Sequence, residues 1–321
     1  MTRTTRIGFI GVGGIARQHL DNLRRIGGAQ VVAVCDVDGP RAEQVAGEWG
    51  ARAYTRHEAL LEQEALDALY VCVPPFAHTG QELLAVERGI PFLVEKPLDT
   101  GTEYAERVAA AVAARGLITC VGYHWRYFES VARARELIAG RPIAMALGYW
   151  LDTLPGAPWW RQQHLSGGQF LEQTTHVVDL ARHLVGEIVE VYAQMATRVL
   201  DDVEHLTVPD VGTVAVKFAG GAIGTISNAC IGAPGPIGLH LYLKDQTLEV
   251  GGDLQVASRD RTEQFRYFSN AYLAEDEAFL HAVRTGDASR IRSPYADALK
   301  TQRVCAAANE SARTGQPIRL G

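Results

Sequence analysis

Short apolar runs set the rhythm of the first third of the chain. Arg6–Ile10, Val31–Cys35, Ala68–Val73, Pro91–Val94 and Leu117–Val121 are nearly continuous in apolar residues, as strands covered on both faces of a parallel sheet are. Amphipathic segments with helical spacing lie between them, near 41–49, 57–64, 79–89 and 101–115. Strand and helix in alternation predict a doubly wound parallel α/β sheet.

Near residue 122 the pattern changes. Ile143–Trp150, Ile188–Ala196, Val211–Phe218, Ala222–Cys230, Leu239–Leu243 and Phe265–Phe268 read as strands, with turn chemistry at Phe218–Ala222 and Lys244–Thr247. Strands joined by tight turns predict a largely antiparallel sheet in an α+β arrangement. Helical patterns near 271–285 and 294–314 close the chain, and the last of them is expected to pack back toward the first half. The reading is therefore two domains, 1–122 and 123–321. A chain of 321 residues is also longer than one ordinary core.

Composition narrows the partners. The formal net charge is −6, and no run of lysine and arginine stands out, which argues against nucleic acid. No apolar stretch approaches the roughly 20 residues that span a bilayer, and the N-terminus lacks the apolar segment of a signal peptide. The five cysteines are scattered and form no C-x-x-C pair, so they read as buried thiols. A cytoplasmic protein without membrane or nucleic-acid partners is expected.

The first strand leads directly into Gly11-Val12-Gly13-Gly14-Ile15-Ala16, and a helical pattern with Ala16, Leu20 and Leu23 on one face follows. This is the dinucleotide fingerprint in its required strand–turn–helix context. Gly11 permits the tight turn, Gly13 lets the backbone approach a pyrophosphate, and Ala16 allows close helix–strand packing. Val12, Gly14 and Ile15 complete the phosphate-binding loop. Asp36 ends the second strand, 20 residues beyond Ala16, where an acid can accept hydrogen bonds from a ribose and repel a 2′-phosphate. NAD is the expected cofactor. Arg41 nearby keeps NADP open. His19, on the first helix, reads as a packed or surface histidine.

Leu93-Val94-Glu95-Lys96-Pro97 places a lysine at the end of an apolar strand, held by a proline. Open α/β sheets bind ligands outside the carboxyl ends of their strands, so Lys96 is a candidate catalytic group. Downstream, Gly167-Gly168 precede a helical stretch on which Glu172 and His176 are four apart, with Asp179 and His183 continuing the same face. Three readings compete there: a structural helix, a general base with an orienting carboxylate, and a metal site. Four ligands along one straight helix are too spread out to converge on one ion, so no metal is expected.

Taken together, the fingerprint, Val73-Pro74-Pro75-Phe76-Ala77-His78, Glu95-Lys96-Pro97, Trp160-Arg161 and Gly167-Gly168…Glu172…His176 resemble the Gfo/Idh/MocA family of oxidoreductases, which includes inositol dehydrogenases and glucose–fructose oxidoreductases. The resemblance spans essentially the whole chain. It implies an N-terminal Rossmann domain and a C-terminal open antiparallel sheet that mediates homodimers or homotetramers. It further implies Lys96 beside nicotinamide and substrate, His176 as acid/base, and a Pro74–His78 loop on the adenosine side. His124 falls at a polar active-site position, and Trp160 and Arg161 close over the nicotinamide end. Glu172 would orient His176 or bind a hydroxyl, and Glu95 would anchor the cofactor or the lysine. One departure concerns Glu172-Gln173-Thr174-Thr175-His176, where inositol enzymes usually carry Asp followed by Gly-Ser or similar residues. Inositol specificity is therefore not carried over.

The implied chemistry is hydride transfer between a secondary alcohol or ketone of a sugar or cyclic polyol and NAD. Two other classes remain: a redox-neutral glycosidase or lyase that oxidises a sugar carbon transiently, and an NAD-sensing regulator. Retention of Lys96 and His176 argues against the regulator, since a sensor needs no acid/base pair.

Overall fold

A computed structural model describes residues 4–321. The chain forms two compact units. The first comprises the chain up to Leu98, Glu103–His124 and Asn270–Leu299; the second comprises Asp99–Thr102, Trp125–Ser269 and Lys300–Gly321.

The first unit holds six parallel strands: β1 (Thr5–Ile10), β2 (Ala29–Cys35), β3 (Arg52–Tyr54), β4 (Ala68–Val71), β5 (Phe92–Val94) and β6 (Thr119–Val121). Their order, β3-β2-β1-β4-β5-β6, reverses direction at β1, as in the doubly wound sheet that the apolar runs predict. The switch point for ligands therefore lies between β1 and β4. Apolar clusters cover both faces. One includes Leu60, Val94 and Val108; the other includes Ala16, Leu20 and Leu23 of the first helix together with Phe279 and Leu280. Those last two belong to the helix Ala271–Thr285, which returns to pack on the first helix (Gly14–Leu23). β3 has no counterpart among the expected strands. It is a three-residue edge strand whose side chains are exposed or half-buried, so no apolar run announces it.

The second unit holds nine strands: β7 (Met145–Leu151), β8 (Ile188–Ala196), β9 (Val211–Phe218), β10 (Ile223–Ala229), β11 (Ile237–Tyr242), β12 (Gln246–Val250), β13 (Leu254–Ser258), β14 (Thr262–Phe265) and β15 (Ile318–Arg319). Their order is β14-β13-β12-β11-β7-β10-β9-β8-β15, and every pairing is antiparallel except β7 with β10. The two expected turns are present. Phe218 N–H bonds to the Ala222 carbonyl at 2.9 Å, with Gly221 at φ +91°. The second turn sits one residue earlier than expected, where Leu243 N–H meets the Gln246 carbonyl at 2.9 Å and Gln246 already opens β12. Strands β12, β13 and β15 and the helix Glu129–Ile138 lie outside the expected elements, and the strand expected at Phe265–Phe268 meets β14 only at Phe265. Helices cover one face of this sheet around a core that includes Val131, Val177, Leu180 and Val304. The other face leaves Tyr192 and Ile223 exposed.

Among the described residues, no helix is long and apolar enough to cross a membrane. None of the five cysteines is in a disulfide, and all are buried.

Candidate functional site

In the first unit, three observations define a cradle at the end of β1. Gly11 has φ +81°, and a Cβ there would fall 2.3 Å from the Cys72 carbonyl oxygen, so only glycine fits. Around Gly13 and Gly14 a Cβ would meet nothing within 4 Å, so both glycines face open space. Helix Gly14–Leu23 begins there with no side-chain cap on its first amides. Open amides at a helix N-terminus, lined by glycine, suit a pyrophosphate.

Asp36, mostly buried, accepts Val12 N–H at 3.0 Å through one carboxylate oxygen and Asp38 N–H at 3.0 Å through the other. The acid thus ties the fingerprint loop to the end of β2, on the side where an adenosine ribose is expected. Arg41 pairs with Asp36 at 3.4 Å and with Asp38 at 3.0 Å. These residues fit a bound dinucleotide in charge and in space.

Next along the sheet, β4 ends in a short turn, Pro75–Ala77, that leads to His78. His78 Nδ1 lies 2.5 Å from Glu82, whose other oxygen accepts Tyr104 O–H at 2.7 Å. Burial would raise the Glu82 carboxyl, but the facing His78 and the hydrogen bonds hold it below the ordinary value.

At β5 the chain turns through Glu95-Lys96-Pro97, with a cis Lys96–Pro97 bond. One Glu95 oxygen accepts Lys96 N–H at 3.1 Å. The carboxylate fills the space over Gly122, where a Cβ would come within 2.6 Å of it. Its other oxygen lies 3.1 Å from His19 Nε2, and His19 Nδ1 lies 2.7 Å from Asp276. Asn22 donates to the second Asp276 oxygen at 2.8 Å. All of these groups are buried. Burial alone would lower the His19 pKa, but Asp276 and Glu95 together hold it well above the ordinary value.

His124 contrasts with it. Burial first, and then the charges of Lys96 and His19, push it down to about 3. It stacks on Tyr272 with ring centroids 3.7 Å apart. His124 is thus a neutral imidazole near pH 7, suited to hydrogen bonding rather than to taking up a proton.

In the second unit, the expected continuous histidine helix is broken. One turn of helix, Gln169–Glu172, is followed by a separate helix, Thr175–Val185. Glu172 and His176 therefore do not share an uninterrupted helical face. Gly167 and Gly168, at φ +73° and +84°, let the chain turn sharply ahead of the first segment. Glu172 accepts the Trp160 indole N–H at 2.7 Å. Trp160 is buried with Val208 and Cys230, while the carbonyl of Arg161 accepts Thr207 N–H at 2.9 Å.

His176 is buried against an aromatic wall, with ring centroids 5.5 Å from Trp125 and 5.9 Å from Trp150. The helix lies close on β7 because Gly148 has no side chain; a Cβ there would sit 2.5 Å from Val177. Asp179 does not accompany His176. It is held by Arg126 through two bonds of 2.7 and 2.6 Å and by Thr301 at 2.8 Å. His183 points to Arg135 at 3.3 Å. The acidic and basic residues beyond His176 therefore anchor the helix.

Two parts of this arrangement are absent from the sequence reading. His19 shares the apolar face of Ala16, Leu20 and Leu23, and a polar group on such a face is the one local signal it offers. Its partners lie 76 and 257 residues away. Arg126 is 53 residues from Asp179, with no spacing to connect them.

Comparison with known proteins agrees with both units. Residues 5–123 match the oxidoreductase family with an NAD-binding Rossmann fold, and residues 131–256 match the GFO/IDH/MocA C-terminal domain. The chain is 26% identical to a myo-inositol 2-dehydrogenase of Thermotoga maritima, with 88% of this chain and 89% of the relative covered. It is 29% identical to a scyllo-inositol 2-dehydrogenase (NAD(+)) of Bacillus subtilis, with 100% and 97% covered. Among solved structures, the WlbA dehydrogenase of Bordetella pertussis in complex with NADH and UDP-GlcNAcA superposes with a TM-score of 0.86 at 24% identity, with 99% of each chain covered. Matches to both domain models and relatives along the whole length agree: the chain belongs to the Gfo/Idh/MocA family of NAD-binding oxidoreductases.

Proposed function

We propose that this protein transfers hydride between NAD and a secondary alcohol or ketone of a sugar, a cyclic polyol or a sugar derivative. Bound NAD supplies the hydride acceptor. Lys96 holds the substrate oxygen and stabilises its negative charge as it develops, commonly the largest electrostatic contribution to such a step. His176 takes the hydroxyl proton in oxidation and returns it in reduction. Glu172, with Trp160, binds a neighbouring hydroxyl, and His124 donates or accepts a hydrogen bond as a neutral ring.

The observation that carries this reading is the corner at the carboxyl end of β5. Lys96 follows a carboxylate that is bonded to its own backbone N–H and fixed from behind by His19. Rigid placement beside a dinucleotide cradle is what a catalytic ammonium needs. The curated inositol relatives support the substrate class. The Asp36 carboxylate, bonded to the fingerprint loop, favours NAD over NADP. The Trp160–Glu172 bond and the tryptophans around His176 suit stacking on a sugar face. The exposed Tyr192 and Ile223 on the sheet of the second unit support self-association as a dimer or tetramer.

The test is a reduction screen with NAD and NADP across cyclic polyols, free sugars, keto-sugars and glycosides. A polyol or sugar that yields NADH is expected. Conversion of a glycoside without net NADH would instead establish the redox-neutral class. His176→Ala should abolish the limb of the pH–rate profile that a titrating imidazole imposes; a retained limb would remove His176 from the proton transfer.

A further inference from the structure

The buried groups behind Lys96 have a charge pattern of their own. Each ring nitrogen of His19 faces a carboxylate oxygen, Asp276 at 2.7 Å and Glu95 at 3.1 Å. An ionised carboxylate only accepts hydrogen bonds, and a neutral imidazole donates only one. Both contacts are satisfied together when the ring carries both protons. Of the remaining groups around it, Lys96 and Glu275 are formally charged and the others are neutral. Tyr70 and Cys72 are held well above their ordinary values, chiefly by burial. Burial likewise raises Tyr272, whose ring meets His19 edge-on, and it lowers His124 to about 3. Asn22 and Asn270 supply uncharged hydrogen bonds, and Glu275 lies on the Tyr272 side of the same helix. Lys96 and Glu275 offset one another in formal charge, so two carboxylates and one imidazolium leave the buried cluster a net charge of minus one.

The position of this cluster relative to the cofactor follows from topology. Asp36 marks the adenosine side at the end of β2, and the fingerprint follows β1. The other half of the dinucleotide must therefore extend toward β4 and β5, where Glu95 ends the strand. The nicotinamide ring is cationic in NAD+ and neutral in NADH.

We propose that Asp276, His19 and Glu95 form a singly anionic clamp that sets the preference of this unit for NAD+ over NADH, with His19 as the positioning residue that holds Glu95 under the Lys96 corner. The inference rests on NAD binding alone and not on the substrate reading, so either can fail without the other.

The experiment measures Kd for NADH by fluorescence and Kd for NAD+ by competition, on the full-length protein. His19→Gln removes the cation and should lower the ratio Kd(NAD+)/Kd(NADH). Asp276→Asn and Glu95→Gln each remove an anion and should raise it. The shifts should be roughly three- to tenfold, the size expected for one unit charge across a protein interior of effective dielectric about 20. A purely structural role would weaken both cofactor forms alike, so an unchanged ratio, or shifts of one sign in all three variants, overturns the proposal. Nitrogen-15 NMR of histidine-labelled protein should find both His19 ring nitrogens protonated at pH 7.5, and a neutral ring there also overturns it. If His19→Gln does not fold, the two carboxylate variants still decide the outcome.

Discussion

The β5 corner of the parallel sheet and the histidine helix of the second unit stabilise buried polar groups by opposite means. At the corner, charge is compensated by charge: Glu95, His19 and Asp276 alternate in sign along one line of hydrogen bonds. Around His176 stand the rings of Trp125 and Trp150, and Asp179 of the same helix is anchored by Arg126. A surrounded charge cluster is stiff and resists changes of protonation. His19 and His124 repeat the lesson inside one unit, since both are buried and only the one between two carboxylates is held charged.

Four substitutions test this contrast. Lys96→Ala should lower turnover about 10³-fold, by loss of electrostatic stabilisation, while fluorescence titration finds NADH affinity nearly intact; unchanged turnover removes Lys96 from the chemistry. Arg126→Ala removes the bidentate partner of the buried Asp179 and should cost about 3–5 kcal/mol in urea unfolding. A loss below about 1 kcal/mol would mean that the anchor is dispensable. Gly11→Ala forces a side chain into a φ of +81° and against the Cys72 carbonyl. It should cost at least about 1–3 kcal/mol and abolish NADH binding, and retained binding would contradict the cradle.

The smallest effect concerns pH. The folded pKa of His19 is raised, so the stability the clamp contributes is complete below the unfolded value of about 6.5 and is lost as pH rises through the folded one. His19→Gln should therefore cost more at pH 6 than at high pH. The difference should be on the order of 1 kcal/mol by denaturant titration, and an equal cost at both would refute a charged clamp.

Much of this was readable from local pattern. Parallel strands buried on both faces must be apolar throughout, which is why five of the six strands of the first sheet stand out and the exposed edge strand Arg52–Tyr54 does not. The fingerprint is legible because turn, phosphate approach and helix packing each demand a small residue at a fixed place. The Glu172–His176 spacing misleads for a related reason. Four residues imply a shared face only if the helix is continuous, and the break between Gln169–Glu172 and Thr175–Val185 carries no proline or glycine to announce it.

The sequence alone determined the cofactor fingerprint, the strand-end lysine and the two sheet types, since each is announced by the local pattern of apolar, small and turn residues. The tertiary structure alone decided which polar residues became partners. It returned helix Ala271–Thr285 to the first helix and so placed Asp276 against His19, and it gave Asp179 to Arg126 rather than to His176. Buried charges must find opposite charges wherever the fold brings them, and sequence spacing carries no record of distances closed by folding.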